Sequence, residues 1–168
     1  LINLLAGLAK ADDGRIAIPL RDTTAIAPAA ALYASIRGLI GYVRFHLADG
    51  GKLMSRRAAR AMRTEQISLG RAANFPELAP AGYGLGSYLT RYRGRRLVYH
   101  PGVIDGFAGL ISFMPDQQIG MIVLSNLSGR NPVPAIVTYS LYDRLLGLEP
   151  VDWTARYLAA KPPRTGSK

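Results

Sequence analysis

The residues whose types and spacing could do chemistry lie within Tyr99-His100-Pro101-Gly102-Val103-Ile104-Asp105-Gly106-Phe107. A histidine can bind or orient a polar group, and a glycine leaves room where a Cβ would obstruct an approaching backbone. On residue type alone, a single histidine before Pro-Gly is more often structural than catalytic. Asp105 is suited to capping the turn at Gly106. The chain has two histidines, His46 and His100, and no cysteine. Disulfides, thiolate catalysis and cysteine-ligated metal are therefore excluded, and no metal centre is expected from two histidines. No serine stands in a Gly-x-Ser-x-Gly elbow. Ser112 and Ser125 alternate with apolar neighbours as strand residues do, while Ser35, Ser55 and Ser128 suit helix caps or turns.

The elements that must position this stretch can be read from its flanks. Leu97 to Tyr99 is a short apolar run, Ala108 to Phe113 a second β-type segment, and Ile119 to Leu124 a third. Pro115-Asp116 supplies the turn between the last two, because Pro presets φ and Asp bonds its own backbone. Upstream, Tyr83 to Tyr92 reads as a strand and Arg93-Gly94 as a turn, with Arg95 to Tyr99 as the partner strand. His100, Gly102, Asp105 and Gly106 then form a polar corner. Ser35 is a candidate N-cap for a helix carrying Ile36, Leu39, Ile40, Val43 and Leu47, stopped at Gly50-Gly51. Gly38 and Gly41 inside it cost about 1 kcal/mol each relative to Ala, which close packing on that face would explain. His46 sits at the edge of the stripe and is expected to be a surface or half-buried residue rather than a ligand. Ser55 opens a short helix with Ala58, Ala59 and Met62. Thr64 to Pro80 lacks a clean period and reads as a long surface excursion. Pro132 and Pro134 suit the first turn of a last helix, whose apolar face is Val133, Ile136, Val137, Leu141 and Leu145. In the first twenty residues, Asp12-Asp13-Gly14 reads as a turn and Arg15 to Leu20 as a strand. The fold class is α+β: an antiparallel sheet with a covering C-terminal helix.

His-x-Gly closing one strand, Gly-Phe opening the next, a Pro-Asp turn and an apolar strand ending in Ser125-Asn126 together resemble the serine β-lactamase and penicillin-binding-protein-like hydrolases. The likeness is to the class C-like branch with its esterases and D-amino-acid-cleaving peptidases. Ile26-Ala27-Pro28-Ala29-Ala30 is similar to that family's Ala-Pro-Ala-Gly-Gly stretch. Tyr83-Gly84-Leu85-Gly86 resembles its Tyr-Gly-Leu-Gly, and Leu145-Leu146-Gly147-Leu148 with Asp152-Trp153 resembles a domain end. These motifs stand in the family's order across roughly Leu1 to Trp153.

The resemblance implies a partial β-lactamase/transpeptidase-like fold lacking its N-terminal half. Residues 1–153 would be the C-terminal portion of the hydrolase domain and 154–168 a flexible basic tail. It also implies acyl-enzyme hydrolysis of an ester, amide or peptide, a reaction that needs a nucleophile, a base and oxyanion donors. The family's Ser-x-x-Lys and Tyr-x-Asn are both absent here, and only Lys/His-x-Gly is present, as His100-Pro101-Gly102. By resemblance, His100 helps bind the substrate carboxylate or supports the serine and tyrosine, and Gly102 admits substrate backbone. The N–H of Val103 is one of two oxyanion donors, and Asp105 and Gly106 border the substrate. Departures are Val103 where Gly or Ser is usual, Ala30-Ala31 for two glycines, and Gly38 for an Asp. The chain alone is expected to be inactive. The alternative is a non-catalytic penicillin-binding-like module for binding or assembly. Expected partners are a small-molecule or peptide substrate and the missing N-terminal half. No cofactor is implied, and an extracytoplasmic or periplasmic location fits the family.

Composition sets the outer limits. The chain has 168 residues, 49% apolar and 19% charged, enough for one domain with a core. No apolar run approaches the ~20 residues of a membrane helix, and Leu1-Ile2-Asn3-Leu4-Leu5 lacks the basic start of a signal peptide. A start at Leu rather than Met suggests a fragment or processed piece. The net charge of +10 includes two arginine groups, Arg56-Arg57-Arg60-Arg63 and Arg91-Arg93-Arg95-Arg96. Neither accompanies a nucleic-acid motif, so a solvated basic surface with weak attraction to anionic surfaces is expected, not a nucleic-acid partner.

Overall fold

The computed structural model describes residues 34–70, 74–104, 106–127 and 131–160. Two helices precede the sheet: α1 over Ile36–Leu47 and α2 over Arg56–Met62. Both begin where the sequence places caps. Ser35 Oγ accepts from Gly38 N at 3.2 Å and Ser55 Oγ from Ala58 N at 3.2 Å, each satisfying an orphan N–H of a first turn.

Six antiparallel strands follow in simple up-and-down order: β1 Ile67–Ser68, β2 Gly82–Tyr83, β3 Tyr88–Tyr92, β4 Arg95–Ile104, β5 Phe107–Met114 and β6 Ile119–Ser125. Helix α3 spans Val133–Leu145 and α4 spans Trp153–Ala159. The α+β class and the antiparallel sheet with its C-terminal cover are as the sequence predicts.

The sheet is covered on both sides. On one face Val43 of α1 packs with Val98 and Phe113, with Leu47, Ile111 and Ile122 around them. On the other, Tyr139 and Tyr142 of α3 and Trp153 of α4 pack with Tyr92, Leu97 and Met114. β5 is therefore apolar on both sides, as a doubly covered strand must be. α1 comes so close to β6 that a Cβ on Gly120 would lie 2.2 Å from Val43 Cγ1.

Several expectations change. The apolar stripe assigned to α3 faces outward in large part: Val133, Val137, Leu141 and Leu145 are exposed, while Thr138, Tyr139, Tyr142 and Asp143 are buried. Two tyrosines bury more area than the aliphatic residues, the Tyr142 hydroxyl bonds Ser112 Oγ, and Asp143 gains four donors. These are Tyr92 Oη at 2.6 Å, Arg93 Nη1 at 2.9 Å, Trp153 Nε1 at 3.0 Å and Val151 N at 3.3 Å. The excursion from Thr64 to Pro80 holds β1 and buries Phe75 against Trp153 at 5.5 Å. Residues 154–159, assigned to the tail, form most of α4, where Tyr157 packs on Phe75 and Arg156 pairs with Glu77 at 2.7 Å. His46 is neither at the surface nor half-buried but 1% exposed, stacked on Phe113 at 4.9 Å. Gly41 has no neighbour within 4 Å of where a Cβ would stand, so packing among the described residues does not explain it. The expected elements of residues 1–33, Ser128 and the last eight residues lie outside the described residues.

Candidate active-site edge

β4 does not stop at Tyr99. It continues through His100, Pro101 and Gly102 to Ile104, paired with β5 throughout. At the corner Ile104 pairs with Phe107, and Gly106 has φ +85°. Asp105 lies outside the described residues.

β3 pairs with β4 only as far as Tyr99, so His100 to Ile104 presents an edge with no strand partner among the described residues. Its orientation follows from the turns. Tyr92 and Arg95 close a two-residue loop at Arg93-Gly94, both at positive φ, and such loops end in a mutually hydrogen-bonded pair. Alternation then points the backbone groups of Arg95, Leu97 and Tyr99 at β3, and those of Arg96, Val98, His100, Gly102 and Ile104 at β5. The second hairpin agrees, since Ile104 and Phe107 close the next two-residue loop. Pro101 and Val103 therefore address the open edge. Proline is tolerated inside this strand because its missing N–H costs no ladder bond there. The Val103 N–H is left facing outward.

The side chains agree with that opening. His100, Pro101, Gly102 and Val103 are all exposed, Val103 at 66%. A Cβ on Gly102 would meet nothing within 4 Å, and its φ is not of the kind that requires glycine. Neither packing nor backbone geometry asks for glycine at this position, which leaves room beside the edge. Beside His100 stands an aromatic group that sequence reasoning did not connect to it. Tyr83 Oη lies 3.4 Å from His100 Nε2, Tyr83 meets Tyr88 edge-on at 4.9 Å, and Tyr88 stacks on Tyr99 at 5.2 Å. Burial raises the Tyr99 phenol above its ordinary value, with the Tyr88 phenol adding to the effect. Tyr83 and His100 are seventeen residues apart, a pairing no local signal reports.

Other candidates resolve into structure. Ser112 Oγ is buried against Tyr142 Oη at 2.9 Å, and Ser125 Oγ accepts from Asn131 Nδ2 at 2.9 Å. Arg60 and Arg63 both hold Asp49, Arg93 holds Asp143, and Arg96 holds Asp116 at 2.7 Å, so four of the eight arginines in the two basic groups are engaged in ion pairs. Among the described residues no group of three or more metal-ligating side chains occurs, and no helix is long and apolar enough to cross a membrane.

Comparison with known proteins gives consistent results. The family profile described as Beta-lactamase matches residues 4–144. An unguisins hydrolase of Aspergillus violaceofuscus is 34% identical over 86 residues, covering 49% of this chain and 15% of that protein. A second unguisins hydrolase, from Aspergillus campestris, is 29% identical over 86 residues and is covered to 16% of its length. Among solved structures, the octameric penicillin-binding protein homologue from Pyrococcus abyssi superposes with a TM-score of 0.62 at 26% identity. That superposition covers 71% of this chain and 26% of the homologue's.

Proposed function

This chain belongs to the β-lactamase family, and from that premise we propose that it supplies one wall of a serine hydrolase acyl-transfer site. The open edge of β4 carries the proposal: a backbone N–H at Val103 with no partner among the described residues, a glycine with free space at 102, and an exposed imidazole at 100. An acyl-enzyme reaction needs donors for the oxygen that becomes negative in the tetrahedral intermediate. A strand edge held rigid by β5 offers Val103 N–H in a fixed direction. Gly102 keeps the approach clear, His100 contacts the polar end of the substrate, and Asp105 and Gly106 are assigned to the substrate border by the family resemblance alone. Nucleophile and base come from a Ser-x-x-Lys segment and a Tyr-x-Asn segment outside this chain, which spans only 15–16% of the curated relatives it matches.

The outward ridge Val133-Val137-Leu141-Leu145, one residue per helical turn, supports the same reading. It gives the remainder of the domain an apolar face to cover. The substrate class is an amide, ester or peptide.

A serine-reactive acylating probe tests this. The chain alone is expected to take up no label, and a longer polypeptide in which it follows Ser-x-x-Lys is expected to label at that serine. A longer polypeptide that carries the serine, folds and stays unlabelled would instead favour a non-catalytic binding module.

A further inference from the structure

We propose that Tyr83 is a positioning residue for His100, holding the imidazole in one tautomer and one rotamer beside the open edge of β4; this rests on the hydrolase reading above. Tyr83 is the first residue of Tyr-Gly-Leu-Gly, a stretch whose chemistry that reading leaves unused.

The geometry is specific. The Tyr83 hydroxyl lies 3.4 Å from His100 Nε2, and the Tyr88 ring stands 5.8 Å from the imidazole, tilted by 43°. The hydroxyl and that ring therefore limit the imidazole from two directions. Tyr83 is itself fixed. Its ring meets Tyr88 edge-on, and the turn after it is held tightly: a Cβ on Gly84 would fall 2.6 Å from the Met62 carbonyl, and Gly86 has φ +87°. The backbone adds two bonds, from Gly84 N to Ser87 O at 2.9 Å and from Leu85 N to Met62 O at 3.0 Å. The two glycines serve to place a tyrosine hydroxyl.

The tautomer follows from donor strength. A phenol is a better hydrogen-bond donor than its oxygen is an acceptor, so Tyr83 donates to Nε2 and the imidazole proton resides on Nδ1. An unrestrained imidazole favours the proton on Nε2. Tyr83 thus reverses the intrinsic preference, leaving Nδ1–H as the donor that His100 can offer to a carboxylate or carbonyl of the substrate.

Nitrogen-15 NMR of the histidine side chains tests the inference directly at about pH 8.5, well above the usual histidine range. With only two histidines, His46 is an internal control, since its ring packs on Tyr42, Phe45 and Phe113 and not on Tyr83 or Tyr88. His100 is expected to show mainly Nδ1–H in the parent chain and mainly Nε2–H in Tyr83→Phe, which keeps the ring packing. Tyr88→Phe, whose hydroxyl is not the one bonded to His100, is expected to leave the parent tautomer unchanged. In the longer polypeptide, Tyr83→Phe is expected to lower the acylation rate about five- to tenfold, the scale of one net hydrogen bond. A parent chain already in the Nε2–H form overturns the inference, and so does a Tyr83→Phe spectrum or acylation rate identical to the parent's. Failure of the underlying reading looks different: His100→Ala with undiminished acylation removes His100 from the site whatever the tautomers show.

Discussion

His46 shows how much a single buried group can couple the fold to its solution. Tyr42 and Phe45 of α1 approach its ring edge-on at 4.6 and 5.0 Å, Phe113 of β5 stacks on it, and neither ring nitrogen has a hydrogen-bond partner among the described residues. Burial drives its pKa down to about 4, with the Arg63 guanidinium lowering it further. The folded value lies below the unfolded one of about 6.5. The unfolded chain therefore takes up the proton first as pH falls. Stability is complete above about pH 6.5 and is lost between there and about pH 4, with a limiting slope of about 1.4 kcal/mol per pH unit. Asp49, the nearby carboxylate that pairs with Arg63, is held at about 2 by hydrogen bonds from Arg60 and then Arg63, so it stays ionised across that window. Urea unfolding of the parent is expected to weaken from pH 7 to pH 4.5, and His46→Phe to flatten that decline; an unchanged slope would contradict the assignment. Gly102 and Gly120 make a second residue-scale pair. Gly120→Ala drives a methyl into Val43 and should cost about 1–3 kcal/mol. Gly102→Ala meets open space and should leave the fold as stable or slightly more so, while reducing acylation in the longer polypeptide. Calorimetry on the two variants checks the stability contrast. The exposure of Gly102 was not legible in the sequence, because a glycine carries no mark of whether a neighbour or an empty space stands opposite it.

At the scale of elements, local signals were the readable ones. Ser35 and Ser55 announce α1 and α2 because a cap acts within three residues. The β5–β6 turn at Pro115-Asp116 was legible for the same reason. β4 was misjudged past Tyr99, since proline and glycine look like breakers unless one knows which edge the strand presents to solvent. The outward face of α3 was misjudged because aliphatic residues outrank tyrosine and aspartate on any hydrophobicity scale, whereas here the tyrosines and Asp143 form the inner face. Asp143 ties α3 to the β3–β4 turn through Arg93 and to α4 through Trp153. Burial pushes its carboxyl pKa up, but hydrogen bonds from Tyr92, Trp153 and Arg93 outweigh it, leaving the pKa below its usual value. Asp143→Ala leaves two buried donors unpaired and is expected to cost about 3–5 kcal/mol. Because Trp153 is the single tryptophan, loosening of α4 should appear as a red shift in its emission. A variant that keeps the parent's spectrum and melting temperature would show that this network does not hold α4.

At the scale of the whole molecule, the sheet and its two covers form a scaffold whose open edge at His100 to Val103 belongs to neither core. The order of strands and motifs was legible because it runs up and down without crossovers, so neighbours in sequence are neighbours in space. The Tyr83–His100 contact was not, because it joins two strands that do not pair with each other. The exposed ridge on α3 is expected to bind the rest of the domain: Leu141→Glu should leave the core intact and weaken reassociation with a separately produced preceding segment, measured by titration. In the proposed site Val103 offers its N–H to the developing oxyanion, and the Val103→Pro variant removes that donor. Proline removes that donor at a position facing the open edge, where the chain already tolerates Pro101, so the ladder with β5 stays intact. In the longer polypeptide acylation is expected to slow by about 10²–10³-fold with an unchanged melting temperature. Acylation at the parent rate in a folded Val103→Pro variant would contradict it.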